Sequence, residues 1–100
     1  MKIETKKGYV QISCEEDENI IEMIEVYPEY RGQGVAQKLL KRAIKWHNNH
    51  KYNKPLTLCA YAQEKTIDTD RLVAWYENNG FSVTDTYTDE QTGRCVLMEY

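Results

Sequence analysis

One hundred residues hold one domain and one modest core; 41% are hydrophobic and 29% charged, an ordinary globular balance. Aromatics at 11% and a net charge of only −3 exclude a disordered chain. No apolar run nears the ~18 residues of a membrane span, and the opening Met1-Lys2-Ile3-Glu4-Thr5-Lys6-Lys7 lacks a signal peptide's apolar stretch, so a cytoplasmic chain without membrane contact is expected.

Lys2–Thr5 reads as a short first strand, with Gly8 in the turn after it. Val10, Ile12 and Cys14 alternate with Gln11 and Ser13, the period of a half-buried strand. Residues 15–19 form a polar hairpin loop, and 20–27 are apolar on both faces, which suits a central strand. Pro28 stops it. A glycine loop through residues 29–34 then opens a helix that runs to about Asn49. Its Ala36, Leu39, Leu40, Ala43, Ile44 and His47 share one face, away from Lys38, Lys41, Arg42 and Lys45.

Leu56–Ala60 is a short strand after Pro55, and 63–69 is polar. Thr69 or Asp70 is expected to cap a second helix carrying Leu72, Val73, Trp75 and Tyr76 inward and ending at Gly80. Residues 81–87 and 94–100 form a closing antiparallel hairpin. The order is ββ(β)αβαββ, an α/β (α+β) class with a mixed, mostly antiparallel sheet flanked by helices, in one domain over residues 1–100. Residues 94–100, with Cys95 and Leu97 on one face and Val96 and Met98 on the other, read as an exposed edge and suggest a homodimer.

Charge is distributed in two blocks. Glu15, Glu16, Asp17, Glu18, Glu22, Glu25 and Glu29 are followed by Arg31, Lys38, Lys41, Arg42, Lys45, Lys51 and Lys54. Two solvated faces would explain them, and so would a cationic ligand near the first block and a polyanionic one near the second. An acidic chain argues against nucleic acid as the anion. Cys14, Cys59 and Cys95 form no CxxC pair and read as reduced core thiols; no metal site is expected, and His47 and His50 read as structural.

The chemistry concentrates at 26–36. A strand runs into glycines that open a basic helix, and a helix N-terminus offers unpaired N–H groups and partial positive charge to a phosphate. A Walker pattern is absent, and a GxGxxG fingerprint would need glycine where Gln37 stands. Arg31-x-x-Gly34-x-Ala36 instead resembles the [Q/R]xxGx[G/A] signature of the GNAT N-acetyltransferases. Val26-x-Pro28-Glu29-Tyr30-Arg31-Gly32 upstream and Leu39-Leu40 downstream extend the likeness. A second block, Trp75-Tyr76-Glu77-Asn78-Asn79-Gly80-Phe81, resembles that family's Y-x-x-x-G-F segment, and the likeness covers roughly residues 8–100.

The resemblance implies acetyl-CoA as co-substrate. Its pyrophosphate would lie on the amides of Gln33, Gly34, Val35 and Ala36, after Gly32, with Arg31 adding charge. The main chain at Val26 would pair with the pantetheine arm and donate to the thioester oxygen. Tyr76 would protonate the leaving sulfur or hold it by a hydrogen bond. The acceptor amine must lose a proton to attack. Glu22 is the candidate base because it shares strand parity with Ile20, Ile24 and Val26, whereas Glu25 falls on the opposite face. The implied reaction is direct attack by a primary amine, of a small molecule or protein and expected to be cationic, in a ternary complex. Two departures from the family stand out. Only about eight residues precede the central hairpin, and Thr69, between Asp68 and Asp70, stands where an asparagine is usual. A non-catalytic CoA-binding sensor or interaction module, or a subunit whose acceptor site a partner chain completes, fits the same residues.

Overall fold

The computed structural model describes residues 1–50, 53–60, 68–90 and 93–100. Lys51 of the basic block and most of the polar 63–69 segment lie outside the described residues. The chain divides into two compact units, Met1–Leu56 and Thr57–Tyr100.

In the first unit β1 (Lys2–Thr5), β2 (Gly8–Cys14) and β3 (Asn19–Val26) form an antiparallel meander, and α1 (Val35–Asn49) follows a single 3-10 turn at Pro28–Tyr30. The alternation in β2 holds: Val10 and Ile12 are fully buried, while Tyr9, Gln11 and Ser13 are half-buried. The stripe on α1 holds too, with Val35, Leu39, Leu40, Ala43 and His47 buried. His47 is held in place: the Asn19 amide donates to its Nδ1 at 3.3 Å, and both side chains are buried. His50 stacks on Trp46 at 5.4 Å and its Nδ1–H meets the Trp46 carbonyl, closing the helix end.

Gly8 is required where β2 meets β3. A Cβ there would run into the Glu25 carbonyl oxygen and stand 3.0 Å from Val26 Cα, both backbone. Gly8→Ala should therefore cost about 3 kcal/mol, the upper end of overpacking penalties. For a chain of this size thermal denaturation should show a Tm lower by more than about 10 °C.

β3 departs from expectation. Met23 pairs with Gln11 and Ile21 with Ile12, so Glu22 is an extra residue in a β-bulge. The bulge resets the parity. Ile21 and Ile24, three apart, sit opposite the buried Ile12 and Val10. The shared face proposed for Ile20, Glu22, Ile24 and Val26 is thus not present, and Glu22 is exposed.

In the second unit, which takes all but the first residue of β4 (Leu56–Ala60), β4, β6 (Gly93–Glu99) and β5 (Ser82–Asp89) pair antiparallel, with β6 in the middle. This corrects the reading of 94–100 as an edge: β6 carries a partner strand on each side, and the ground for a homodimer disappears. The fold class is as expected, with six strands, two helices and antiparallel pairing in each unit. α2 (Thr69–Asn78) is capped by Asp68, not Thr69 or Asp70; its carboxylate accepts from the Arg71 N–H at 2.8 Å. Gly80 ends it with φ +97°, the left-handed conformation that favours glycine.

Of the thiols only Cys95 is buried; Cys59 is half-buried. Cys14, at the last position of β2 where the hairpin begins, is exposed, contrary to its expected core place.

No helix among the described residues is long and apolar enough to cross a membrane.

Candidate active site

The glycine junction is built by strand geometry. The Tyr27 N–H donates to the Lys7 carbonyl at 2.9 Å, and Gly8 faces Val26 in the register. Hydrogen-bonded and non-bonded pairs alternate in an antiparallel ladder, so Val26 turns its own N–H and C=O away from β2. Arg31 secures this strand end. Its Nε donates to the Val26 carbonyl at 3.2 Å, and its guanidinium lies 3.8 Å from the Glu25 carboxylate. The arginine of the motif thus folds back onto the strand rather than extending only toward a phosphate.

Gly32 (φ +78°) and Gly34 (φ +75°) are both left-handed, which is the physical reason for glycine at these two positions. The space beside both is open: a Cβ at either would have no atom within 4 Å. Gly34 is the N-cap of α1 and has no side chain to satisfy the first-turn amides, and that turn contains no acid. Gln33, Gly34, Val35 and Ala36 therefore present main-chain N–H groups at a positive helix end, with nothing bulky over the glycines.

Beside this junction is a pocket of about 240 Å³ lined by Val35 and Leu39, with Lys6, Lys7, Lys38 and Arg42 around it. Lys6 and Lys7 played no part in the sequence reading of the site. The only signal was a lysine pair just before Gly8, and nothing local tells that this turn meets α1.

The acidic block is dispersed. Glu15, Glu16 and Asp17 are exposed at the β2–β3 turn, closed by the Glu15 N–H to the Glu18 carbonyl at 2.8 Å. Glu29 follows the other end of β3, eight residues long, so roughly 25 Å separates the two groups. Glu22 forms no ion pair among the described residues, whereas Glu25 is engaged by Arg31.

Tyr76 belongs to the second unit. Its ring packs edge-on against Trp75 (4.9 Å) and Phe81 (5.6 Å), and Phe81 against Tyr100 (5.4 Å). Burial pushes the phenol up to about 12. No described residue bonds the hydroxyl, and no described side-chain oxygen is buried without a partner, so the hydroxyl reaches accessible surface. Cys59 is pushed up to about 11, by burial first and a hydrogen bond with Cys95 second, while the Tyr87 hydroxyl 4.0 Å away lowers it. Such a thiol is about one part in 10⁴ thiolate at pH 7, which weighs against a covalent acetyl-thiol. Among the described residues no group of three or more His, Cys, Asp or Glu side chains could hold a metal ion.

A family model described as an acetyltransferase (GNAT) domain matches residues 2–83. The chain belongs to the GNAT acetyltransferase family. Solved structures agree. The anti-CRISPR protein AcrVA5 is 31% identical with a TM-score of 0.77, over 100% of this chain and 96% of that one. Naa50 of Arabidopsis thaliana, solved with a bisubstrate analogue of CoA and an acetylated peptide, is 18% identical with a TM-score of 0.72, over 94% of this chain and 64% of its own. The ribosomal-protein-S18-alanine N-acetyltransferase of Escherichia coli is 21% identical with a TM-score of 0.70, over 93% and 59%. At these identities the last two show the fold alone. This GNAT chain spans nearly all of AcrVA5 but only about three-fifths of the longer enzymes. No curated protein matches it significantly.

Proposed function

We propose that residues 1–100 act as one N-acetyltransferase domain that moves the acetyl group of acetyl-CoA to a primary amine by direct attack in a ternary complex. The observation that carries this reading is the pair of left-handed glycines between β3 and α1, in open space at an uncapped helix end, within a GNAT chain. The family match runs across the division between the two units, which supports a single working domain.

In this reading the amides of Gln33 to Ala36 hold the pyrophosphate, and Gly32 and Gly34 let it approach the backbone. The Val26 main chain, turned away from β2, aligns the pantetheine arm and donates to the thioester oxygen. Positioning and these hydrogen bonds supply most of the rate. Tyr76 donates a hydrogen bond to the leaving sulfur. A full proton transfer is disfavoured, since a phenol pushed up to about 12 lies roughly three pH units above an ordinary thiol. Glu22 takes the amine proton, directly or through water; it is exposed and in no ion pair among the described residues, whereas Glu25 is tied to Arg31.

One neighbour bears on the acceptor: AcrVA5 is an anti-CRISPR protein matched over nearly its whole length, which favours a protein amine in a CRISPR system as the acceptor. The test is free-thiol release from acetyl-CoA with a panel of amines, lysine-bearing CRISPR effector proteins included. No thiol release above the uncatalysed background with any amine would leave only a CoA-binding module.

The exposed carboxylates of the β2–β3 turn favour a cationic acceptor. Replacing the exposed Glu15 and Glu16 and the half-buried Glu18 by glutamine should raise the acceptor KM about fivefold, since charges at such a turn each contribute little, and leave the acetyl-CoA KM unchanged. The same KM should rise with added salt in the parent, because screening acts within about 8–10 Å. A KM indifferent to both returns these residues to a solvated turn.

A further inference from the structure

We propose that Arg31 is a positioning residue in acetyl transfer: its Nε–H on the Val26 carbonyl fixes the end of β3, which aligns the thioester, to the glycine loop, which holds the diphosphate. The inference rests on the acetyl-transfer reading and goes beyond it by giving the motif arginine a task that needs its N–H and not its charge.

The contact is built by the chain between the two residues. Pro28 starts a 3-10 turn, closed by the Tyr30 N–H on the Tyr27 carbonyl at 2.9 Å and the Arg31 N–H on the Pro28 carbonyl at 3.4 Å. The turn carries the backbone round, and the Arg31 side chain reaches back five residues, with Nε 3.2 Å from the Val26 carbonyl oxygen. The Val26–Tyr27 peptide is thereby held at both edges, because its N–H, on Tyr27, donates to the Lys7 carbonyl at 2.9 Å. A trans peptide is planar, so bonds on opposite edges fix its orientation. The carbonyl oxygen keeps a second lone pair for the cofactor, and the Val26 N–H belongs to the preceding peptide, so the bond uses up neither.

The charge of Arg31 is met elsewhere. Its guanidinium lies 3.8 Å from the Glu25 carboxylate, and with 51% and 41% of the two side chains exposed such a pair contributes little. The choice of residue in the [Q/R]xxGx[G/A] signature agrees with a donor role. Glutamine and arginine differ in charge, yet both carry an N–H on the ε nitrogen, at the same distance along the side chain. That shared N–H is the donor the Val26 carbonyl receives. The bond also ties the strand end to the chain directly before Gly32, the first of the two left-handed glycines, so the two parts of the cofactor site are held at one spacing. Loosening it leaves the amides of 33–36 in place for the diphosphate but lets the thioester drift, and small misplacements of reacting atoms lower a rate steeply.

Arg31→Met and Arg31→Gln separate the donor from the charge. The two new side chains have the same length, neither is charged, and only glutamine carries the ε N–H. The position is exposed, so circular dichroism should show both variants folded. Arg31→Met should lower kcat for acetyl transfer about tenfold and leave the acetyl-CoA KM within about twofold of the parent. Arg31→Gln should recover most of the lost kcat. Amide hydrogen exchange at Tyr27, whose peptide loses a bond, should quicken about fivefold in Arg31→Met, the scale of one hydrogen bond, and should not in Arg31→Gln. A rise in the acetyl-CoA KM that is alike in both variants, with kcat held, assigns Arg31 to the charge of the cofactor and overturns the proposal. A kcat as low in Arg31→Gln as in Arg31→Met overturns it too, as does a parent-like kcat in Arg31→Met. In each of these outcomes the parent transfers acetyl groups and the acetyl-transfer reading stands. A parent that transfers none to any amine overturns that reading, and this inference with it.

Discussion

Tyr76→Phe should lower kcat for acetyl transfer by about a hundredfold while leaving the acetyl-CoA KM and the Tm near those of the parent. The change removes one oxygen. The ring keeps its edge contacts with Trp75 and Phe81, and the hydroxyl bonds no described residue, so folding loses almost nothing. What is lost is a donor for the sulfur as negative charge develops on it. Removing one such preorganised donor typically costs 10²–10³ in kcat, so about a hundredfold is the expected scale. Burial fixes the pH behaviour: with the phenol pushed up to about 12, it stays protonated throughout the neutral and mildly alkaline range. The parent should therefore show no alkaline loss of kcat from Tyr76 below about pH 10, and the ratio of parent to variant kcat should stay flat from pH 6 to about pH 9.5. Equal kcat values would make Tyr76 a core tyrosine and nothing more.

For Gly34→Asp the expected effect falls on binding. The backbone at this N-cap is left-handed, so a side chain there costs about 1–2 kcal/mol of strain, less for aspartate than for most residues. The carboxylate then sits at the positive end of α1, which returns about 0.3–1 kcal/mol. The fold should survive, with a Tm lower by only a few degrees. Yet that carboxylate occupies the open space beside Gly34 and competes for the amides of Gln33 to Ala36. Loss of two charge-assisted hydrogen bonds should raise the acetyl-CoA Kd about a hundredfold, equivalent to ~3 kcal/mol. Gly34→Ala separates the causes, since it carries the strain without the charge and should weaken binding far less. A folded Gly34→Asp protein that binds acetyl-CoA like the parent would move the cradle elsewhere.

How far the sequence reached depends on the range of the interaction that decides each feature. Local physics decided most of the first unit. Period-two burial placed β2, the apolar stripe placed α1, and Pro28 ended β3 within a residue or two. The same holds for the two glycines, because a left-handed φ is a demand on one residue at a time and reads directly as glycine. Tyr76 and Gly80 were likewise legible from a helix end followed by an aromatic strand start. Capping was less so: Asp68, Thr69 and Asp70 are all competent, and only the position of the first helical turn selects Asp68.

Pairing between distant segments decided the rest. The bulge at Glu22 follows from how β3 meets β2, and it reverses which residues share a face with Val26. β6 is apolar on both faces whether it lies at an edge or between two strands; its pairing with both β4 and β5 decides for the middle. Cys14 has the parity of a core residue and lies outside because its strand ends there. Lys6 and Lys7 acquire a place beside α1 only when the β1–β2 turn is brought to the end of β3. A residue's own preferences and its near neighbours are written in the chain, whereas register, strand order and the neighbours of a turn arise from segments that meet only when folded.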